Sequence, residues 1–308
     1  MKKKIRTTEE ILKIYKRRFF ILLSLFSILL VSAAVFIYVN YDYLAFKYFF
    51  CQNYIYTADM DKFFKSELKK DVKGNYFKYF DDAVISVVTH NIRGINNDRY
   101  TYLYIPEQYQ KYKQQQKASA DQSEVRSLSS DTVYLHLTNF STYTRDFVEG
   151  KLDELKKYTN IVIDLRDNPG GETESMNAIA GFFLPKGSII TTDRLRYVDW
   201  VYKSKGQKFT FKKIAILQNK NSASCSECMI AALRENLKNV VTIGETSFGK
   251  GIGQYTLDLK EGFAVKATIM YWNTPKGTNI QGKGIIPDIS YSGDDMIDFA
   301  LKTVTAGV

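Results

Sequence analysis

Three segments of the chain set reactive groups beside glycines or a helix start. In Asn219-Lys220-Asn221-Ser222-Ala223-Ser224-Cys225-Ser226-Glu227, three serines cluster where a buried strand gives way to a helix. Serine is a favoured N-cap, and that role alone explains a serine here. A nucleophile gains from the same place, because it is exposed and the helix dipole favours the negative charge that develops on attack. A hydroxyl also needs a base. The chain has two histidines. His136 sits mid-strand between Leu135 and Leu137, and His90 lies in a helical stretch; neither adjoins an acid in a triad-like motif. Lys250, in Phe248-Gly249-Lys250-Gly251, is flanked by glycines and apolar neighbours. A lysine acts as base only when burial leaves it neutral near working pH, and these surroundings are compatible with that. The third segment, Asp164-Leu165-Arg166-Asp167-Asn168-Pro169-Gly170-Gly171, places paired glycines after a buried strand. Such glycines make a tight turn, or leave backbone N–H groups free to hold an anion.

The elements that must position these groups follow from hydrophobic patterning. TVYLHLTNF alternates, with Val133, Leu135 and Leu137 on one face and Tyr134, His136 and Thr138 on the other, as a strand does. NIVIDL, KKIAILQN and NVVTIGE are short apolar runs of the kind found in buried parallel strands. YTRDFVEGKLDELKKY, MNAIAGFFL and SASCSECMIAALREN read as helices between them, EGFAVKATIMYW as part of a β-hairpin, and SGDDMIDFALKTV as a last helix. Strands alternating with helices indicate an α/β fold. Residues 58–115 read as helical, with Pro106 near a helix start, and the small polar residues 116–130 read as a linker.

Of the formal net charge of +10, six units lie in residues 1–18. A nucleic-acid binder concentrates charge on its folded part; here the charge adjoins Phe19–Val39, 21 residues without a charged side chain. A helix of that length spans a hydrocarbon core of about 30 Å. Lys16, Arg17 and Arg18 then mark the cytoplasmic end, and Tyr38, Tyr41, Tyr43 and Tyr48 suit the far interface. The competing reading is a cleaved signal peptide, with Ser32 and Ala34 near the cut; the apolar run is long for one and continues past them. Both readings put everything after residue 40 outside the cytoplasm. Three scattered cysteines form no disulfide framework, and two histidines leave little for a metal site. No metal or other cofactor is expected.

DLRDNPGG, NSASCSE, GETSFGKGIGQ and YWNTPKGTNIQGKGIIPDI occur in that order. Together they resemble the carboxyl-terminal processing, or tail-specific, proteases of peptidase family S41. The resemblance covers residues 131–292 and implies a crotonase/ClpP-like α/β core, a small helical N-terminal region and protein or peptide substrates. It implies that Ser224 is the nucleophile, Lys250 the general base and Gln254 the residue that orients it, with the N–H groups of Gly170 and Cys225 as oxyanion hole. Glu227 fits either a supporting or a capping role. The resulting layout is a cytoplasmic tail (1–18), a membrane helix (19–39), a juxtamembrane and helical region (40–115), a linker (116–130), the core (131–292) and a C-terminal helix (293–308). The chain departs from the family pattern in three ways. The interval 116–130 is too short for the usual PDZ domain, which binds substrate tails by strand addition. Cys225 stands where alanine is usual, and with Cys228 makes a C-x-x-C that invites a redox reading; free cysteine is also a common buried small hydrophobe. The stretch between Ser224 and Lys250 is one residue longer than usual, within NLKNVVT. The alternatives are a catalytically silent binding or scaffold protein on the same frame, and an acyl-CoA enzyme. The Ser/Lys/Gln set and the apolar N-terminal segment disfavour both. The sequence specifies no oligomeric state.

Overall fold

The computed structural model describes residues 7–56 and 82–306. Helix α1 (Thr8–Val39) is long and apolar enough to cross a membrane, and none of it is buried against the rest of the chain. Its start is fixed by a reciprocal cap: Thr7 N–H donates to Glu10 Oε2 at 3.0 Å and Glu10 N–H donates to Thr7 Oγ1 at 3.3 Å. Lys13, Lys16, Arg17 and Arg18 therefore belong to the same helix. Asn40 alone separates α1 from α2 (Tyr41–Asn53). Helix α3 (Asp82–Ile95) follows; the helical reading of residues 58–81 lies outside the described residues. Next come β1 (Tyr102–Tyr104) and α4 (Pro106–Ala120), which has its proline in the first turn, where the missing N–H costs nothing.

The catalytic frame begins with β2 (Glu124–Ser127) and β3 (Thr132–His136), then α5 (Thr142–Gly150), α6 (Leu152–Leu155), β4 (Asn160–Asp164) and α7 (Thr173–Gly181). It continues through β5 (Ile189–Leu195), β6 (Asp199–Lys203), β7 (Lys213–Gln218), α8 (Cys225–Asn236), β8 (Val240–Gly244), β9 (Ile252–Asp258) and β10 (Ala264–Asn273). It closes with β11 (Ile289–Ser290) and α9 (Met296–Thr305). Six strands form the first sheet, in the order β11-β8-β7-β4-β3-β2; all neighbours run parallel except the antiparallel edge strand β2. Alternate residues point to opposite buried faces. Val133, Leu135, Ile161, Ile163, Ile214 and Ile216 join the main core, while Tyr134, Val162, Ala215, Leu217 and Ile243 pack with Met296, Ala300 and Val304 of α9. Burial of both faces is why β4, β7 and β8 read as short apolar runs.

The linker reading of 116–130 does not hold. Residues 116–120 complete α4, and Glu124–Ser127 pair with β3, Val125 opposite Leu135. The strand reads as polar because Glu124, Arg126 and Ser127 are exposed along an edge, where charged residues are usual.

A second, antiparallel sheet has the order β1-β10-β5-β6, with β9 also on β10. The hairpin expected around residue 262 is β9–β10, joined through a 3-10 turn at Lys260–Gly262. The hairpin β5–β6 was not read from the sequence. One side of β10 packs Val265, Ala267 and Ile269 against Phe46, Phe49, Phe50 and Tyr54 from α2 and its C-cap. Each fully buried phenylalanine contributes about 2–3 kcal/mol by area removed from water. Helix α8 lies against both α7 and β5, so the helix that follows Ser224 touches both halves of the frame.

Candidate active site

Strand β4 ends in the glycine turn and β7 ends in the serine turn; the two strands are hydrogen-bonded neighbours, so their turns emerge side by side. Hydrogen bonds stitch them together. Ala223 N–H and Ser226 Oγ donate to Asn168 O at 3.0 and 2.9 Å, and Ser222 Oγ donates to Leu165 O at 2.7 Å. Asp167 Oδ1 accepts from Asn219 Nδ2 at 3.0 Å and Asn221 Nδ2 at 2.7 Å; these bonds hold its carboxyl below the usual carboxylate range.

Ser224 is the N-cap of α8 at φ 55° and ψ −116°. A residue with a Cβ in so sparse a region costs about 1–3 kcal/mol and persists only where its surroundings over-determine it. Here they do. Glu227, one turn on and 0% exposed, accepts at Oε2 from Ser224 N–H at 2.8 Å and from Lys250 N–H at 2.9 Å. Its Oε1 accepts from Ser247 Oγ at 2.5 Å and Gly249 N–H at 2.6 Å. One buried carboxylate thus fixes the serine turn and the lysine loop to each other, and the capping and supporting roles considered for Glu227 are a single role. The lysine loop is also tied through Phe248 N–H to Ser222 O at 3.0 Å and Trp272 Nε1 to Lys250 O at 2.8 Å.

Ser224, Lys250 and Gln254 line one cavity of about 390 Å³. Lys250 Nζ donates to Gln254 Oε1 at 2.9 Å. Burial, followed by the nearby charge of Lys266, lowers the Lys250 ammonium to about 8. Lys266, on the cavity side of β10, is itself lowered by burial. A glutamine carbonyl holds the amine in place without the counter-charge that a carboxylate would bring, so the low pKa survives. Ser224 Oγ and Lys250 Nζ are not hydrogen-bonded to each other in this arrangement; catalytic hydrogen bonds commonly tighten only once substrate binds.

The two glycines divide the work differently from the expectation. Gly170 N–H donates to Asn168 Oδ1 at 2.9 Å, which takes it out of the oxyanion pair. Gly170 instead permits close approach: at φ 97° a Cβ there would lie 2.7 Å from Ala223 O and 2.9 Å from Ser224 Cβ. The N–H groups of Gly171 and Cys225 have no acceptor among the described residues, and both residues line the cavity. Burial pushes the Cys225 thiol up to about 11 and the Cys228 thiol well above its usual range, so both stay protonated. His90 is exposed and His136 half-buried at the end of β3; neither lines the cavity. Sequence reasoning missed Lys266 and Asp193, a buried acid on β5 that also lines the cavity. The lone lysine inside the β-rich string AVKATIM and the Asp193-Arg194 pair inside IITTDRL were the available signal.

The sequence pattern of Peptidase family S41 matches residues 131–291, more than half of the chain, and the chain belongs to that family. It is similar to the Carboxy-terminal processing protease CtpA of Bacillus subtilis (strain 168), 35% identical over 158 residues, which are 50% of this chain and 34% of the relative. The Carboxyl-terminal-processing protease of Synechocystis sp. is 30% identical over 177 residues, 57% of this chain and 41% of the relative. The chain thus spans about two fifths or less of the length of these curated relatives. Among solved structures, the photosystem II D1 C-terminal processing protease superposes with a TM-score of 0.61 at 15% identity, covering 86% of this chain and 96% of that one. A lipoprotein from Streptococcus agalactiae gives 0.64 at 16% identity, with the same coverage. At such identities the likeness concerns the fold, a mixed α/β frame.

Proposed function

We propose that the chain is a membrane-anchored serine endopeptidase in which Ser224 attacks a peptide carbonyl and Lys250 is the base. The observation that carries this reading is the shared Glu227 oxygen, 2.8 Å from Ser224 N and 2.9 Å from Lys250 N, which holds nucleophile and base on one cavity wall. The neutral Lys250 amine takes the Ser224 Oγ proton as Oγ bonds to the carbonyl carbon. The N–H groups of Gly171 and Cys225 hold the resulting oxyanion. Lys250 then passes its proton to the leaving amine nitrogen as the C–N bond breaks. Lys250 next takes a proton from water as the water oxygen bonds to the acyl carbon, and returns it to Ser224 Oγ as the acyl C–Oγ bond breaks, freeing the acid product. Gln254 keeps one N–H of the amine engaged, leaving the nitrogen lone pair for Ser224.

Helix α1 serves as the anchor. Lys16, Arg17 and Arg18 keep its start in the cytoplasm, and the peptidase core lies on the far side, facing cell-envelope or secreted proteins. The interval between α4 and β3 contains only β2 and its turns, so substrate recognition falls to the core cavity rather than to an inserted tail-binding domain. Turnover of an unstructured protein such as casein by the full chain in detergent micelles tests the mechanism. Ser224→Ala and Lys250→Ala are each expected to lower it by about 10⁴-fold or more; turnover retained in both would overturn the reading.

A further inference from the structure

We propose that Asp193 is the recognition group for a cationic side chain, lysine or arginine, on the substrate residue whose carbonyl Ser224 attacks. The inference rests on the peptidase reading and specifies its substrate class. Asp193 is 3% exposed, lies on β5 opposite Trp272 of β10, and lines the same cavity as Ser224. It makes no hydrogen bond or ion pair with any described residue, and burial alone pushes its carboxyl up to about 7. An unpaired buried carboxylate is costly to keep, and such groups concentrate where a ligand completes them. Thr191, two residues earlier on the same strand face and 1% exposed, has a hydroxyl that also lacks a partner. Two orphaned polar groups side by side on the wall of the active-site cavity can serve one donor-rich head, the carboxylate as counter-ion and the hydroxyl as a second acceptor.

The place of this pair relative to the nucleophile sets which substrate residue it reads. Asp193 bears electrostatically on the thiols of Cys225 and Cys228, the first turn of the helix that Ser224 caps. Helix α8 packs on β5, and Cys225 and Cys228 line the cavity together with Asp193, so this wall is assigned to the side chain next to the attacked carbonyl. The remaining charged groups around the cavity are Glu172, Lys250 and Lys266. On β10, Asp193 stands opposite Trp272, while Gln254, which holds the Lys250 amine, stands opposite Thr268, and Lys266 lies beyond it. The cavity therefore has a cationic end at the base and an anionic end at Asp193. Met270 and Trp272 supply apolar wall for the methylene stem of a long cationic side chain. A volume of about 390 Å³ lies in the range of sites that enclose such groups.

The test separates binding from turnover. Fluorescently labelled peptides that differ only in lysine, norleucine, glutamine or glutamate at the reading position are titrated against full-length Ser224→Ala protein in detergent micelles and followed by anisotropy. The lysine peptide is expected to bind at least 10-fold tighter than the norleucine peptide, and Asp193→Asn in the same background to bring that ratio close to one. Equal affinities for lysine and norleucine, a preference for glutamine, or a ratio unchanged by Asp193→Asn would each overturn the proposal. Should Asp193→Asn fail to fold, the lysine-to-norleucine ratio on the unsubstituted cavity decides, with Asp193→Ser as second variant. Cleavage of the same peptides by protein that retains Ser224 is measured in parallel. Lysine-selective binding without Ser224-dependent cleavage would remove the peptidase reading and leave the binding site. Cleavage that ignores the reading position would remove the Asp193 assignment and leave the peptidase.

Discussion

The two sheets of the frame make different contributions to one cavity. The parallel sheet delivers backbone. Its neighbouring strands β4 and β7 end in the turns that hold Gly171 and Ser224, both fixed by hydrogen bonds from buried side chains. The antiparallel sheet delivers side chains: Gln254 from β9, Lys266 from β10 and Asp193 from β5, which set charge and orientation around the reacting groups. The geometry at Ser224 and the charges around it are thus carried by separate sheets, joined through α8 and the Glu227 carboxylate. The lesson is that this chemistry can be retuned by changing strand residues of the second sheet without moving the turns of the first.

Three substitutions sharpen that division. Phe50→Ala empties a fully buried site between α2 and the antiparallel sheet and is expected to cost about 3–5 kcal/mol. Denaturant unfolding would report it as a lower midpoint, with casein turnover retained at low temperature; an unchanged midpoint would show that α2 is not part of the second sheet's stability. Glu227→Gln puts an N–H₂ group against donors that both carboxylate oxygens now satisfy. It is expected to cost about 2–4 kcal/mol and to lower turnover together with Tm. Loss of stability with undiminished turnover would mean the two sheets need no such clamp.

Gln254→Glu has the smallest expected effect, and its sign is fixed. On the proposed mechanism Lys250 must be a free amine to act as base, so turnover in the unaltered chain is expected to rise with pH through about 8. A carboxylate beside the ammonium favours the charged form and moves that rise to higher pH. A shift of one pH unit would lower the rate at pH 7 by about 10-fold and leave the plateau at high pH largely intact. A limb that stays put or moves to lower pH would show that Gln254 does not contact the base in the working enzyme.

The same division decided what the sequence revealed. Strand β3 was legible from its alternation, and β4, β7 and β8 as short apolar runs, because both of their faces are buried. Ser224, Lys250 and Gln254 were legible as residue types in ordered motifs, and the structure brings all three to one cavity. Gly170 was assigned an N–H that Asn168 occupies, because a string of letters does not say which of two adjacent glycines turns its amide outward. Strand β2 was taken for linker because an exposed edge strand carries polar side chains. Strand β5 was passed over because it pairs with β10, far away in sequence, and with β6 across a bulge, and its alternation is broken by the buried polar residues Thr191 and Asp193. Hydrophobic patterning reports burial; a residue kept polar for a ligand works against that signal.

Between α1 and α2 there is a single residue, Asn40, whose side-chain amide donates to Phe36 O at 2.8 Å and continues the first helix's bonding. Helix α2 is then locked onto the second sheet, and Lys260 N–H reaches Asp42 Oδ1 at 3.0 Å. With α1 set in a bilayer as proposed, no slack tether remains, and the mouth of the cavity stands at a set height above the lipid surface. Reach then becomes a selection rule of its own: a susceptible bond is one that a partner chain can present at that altitude, whatever its local residues.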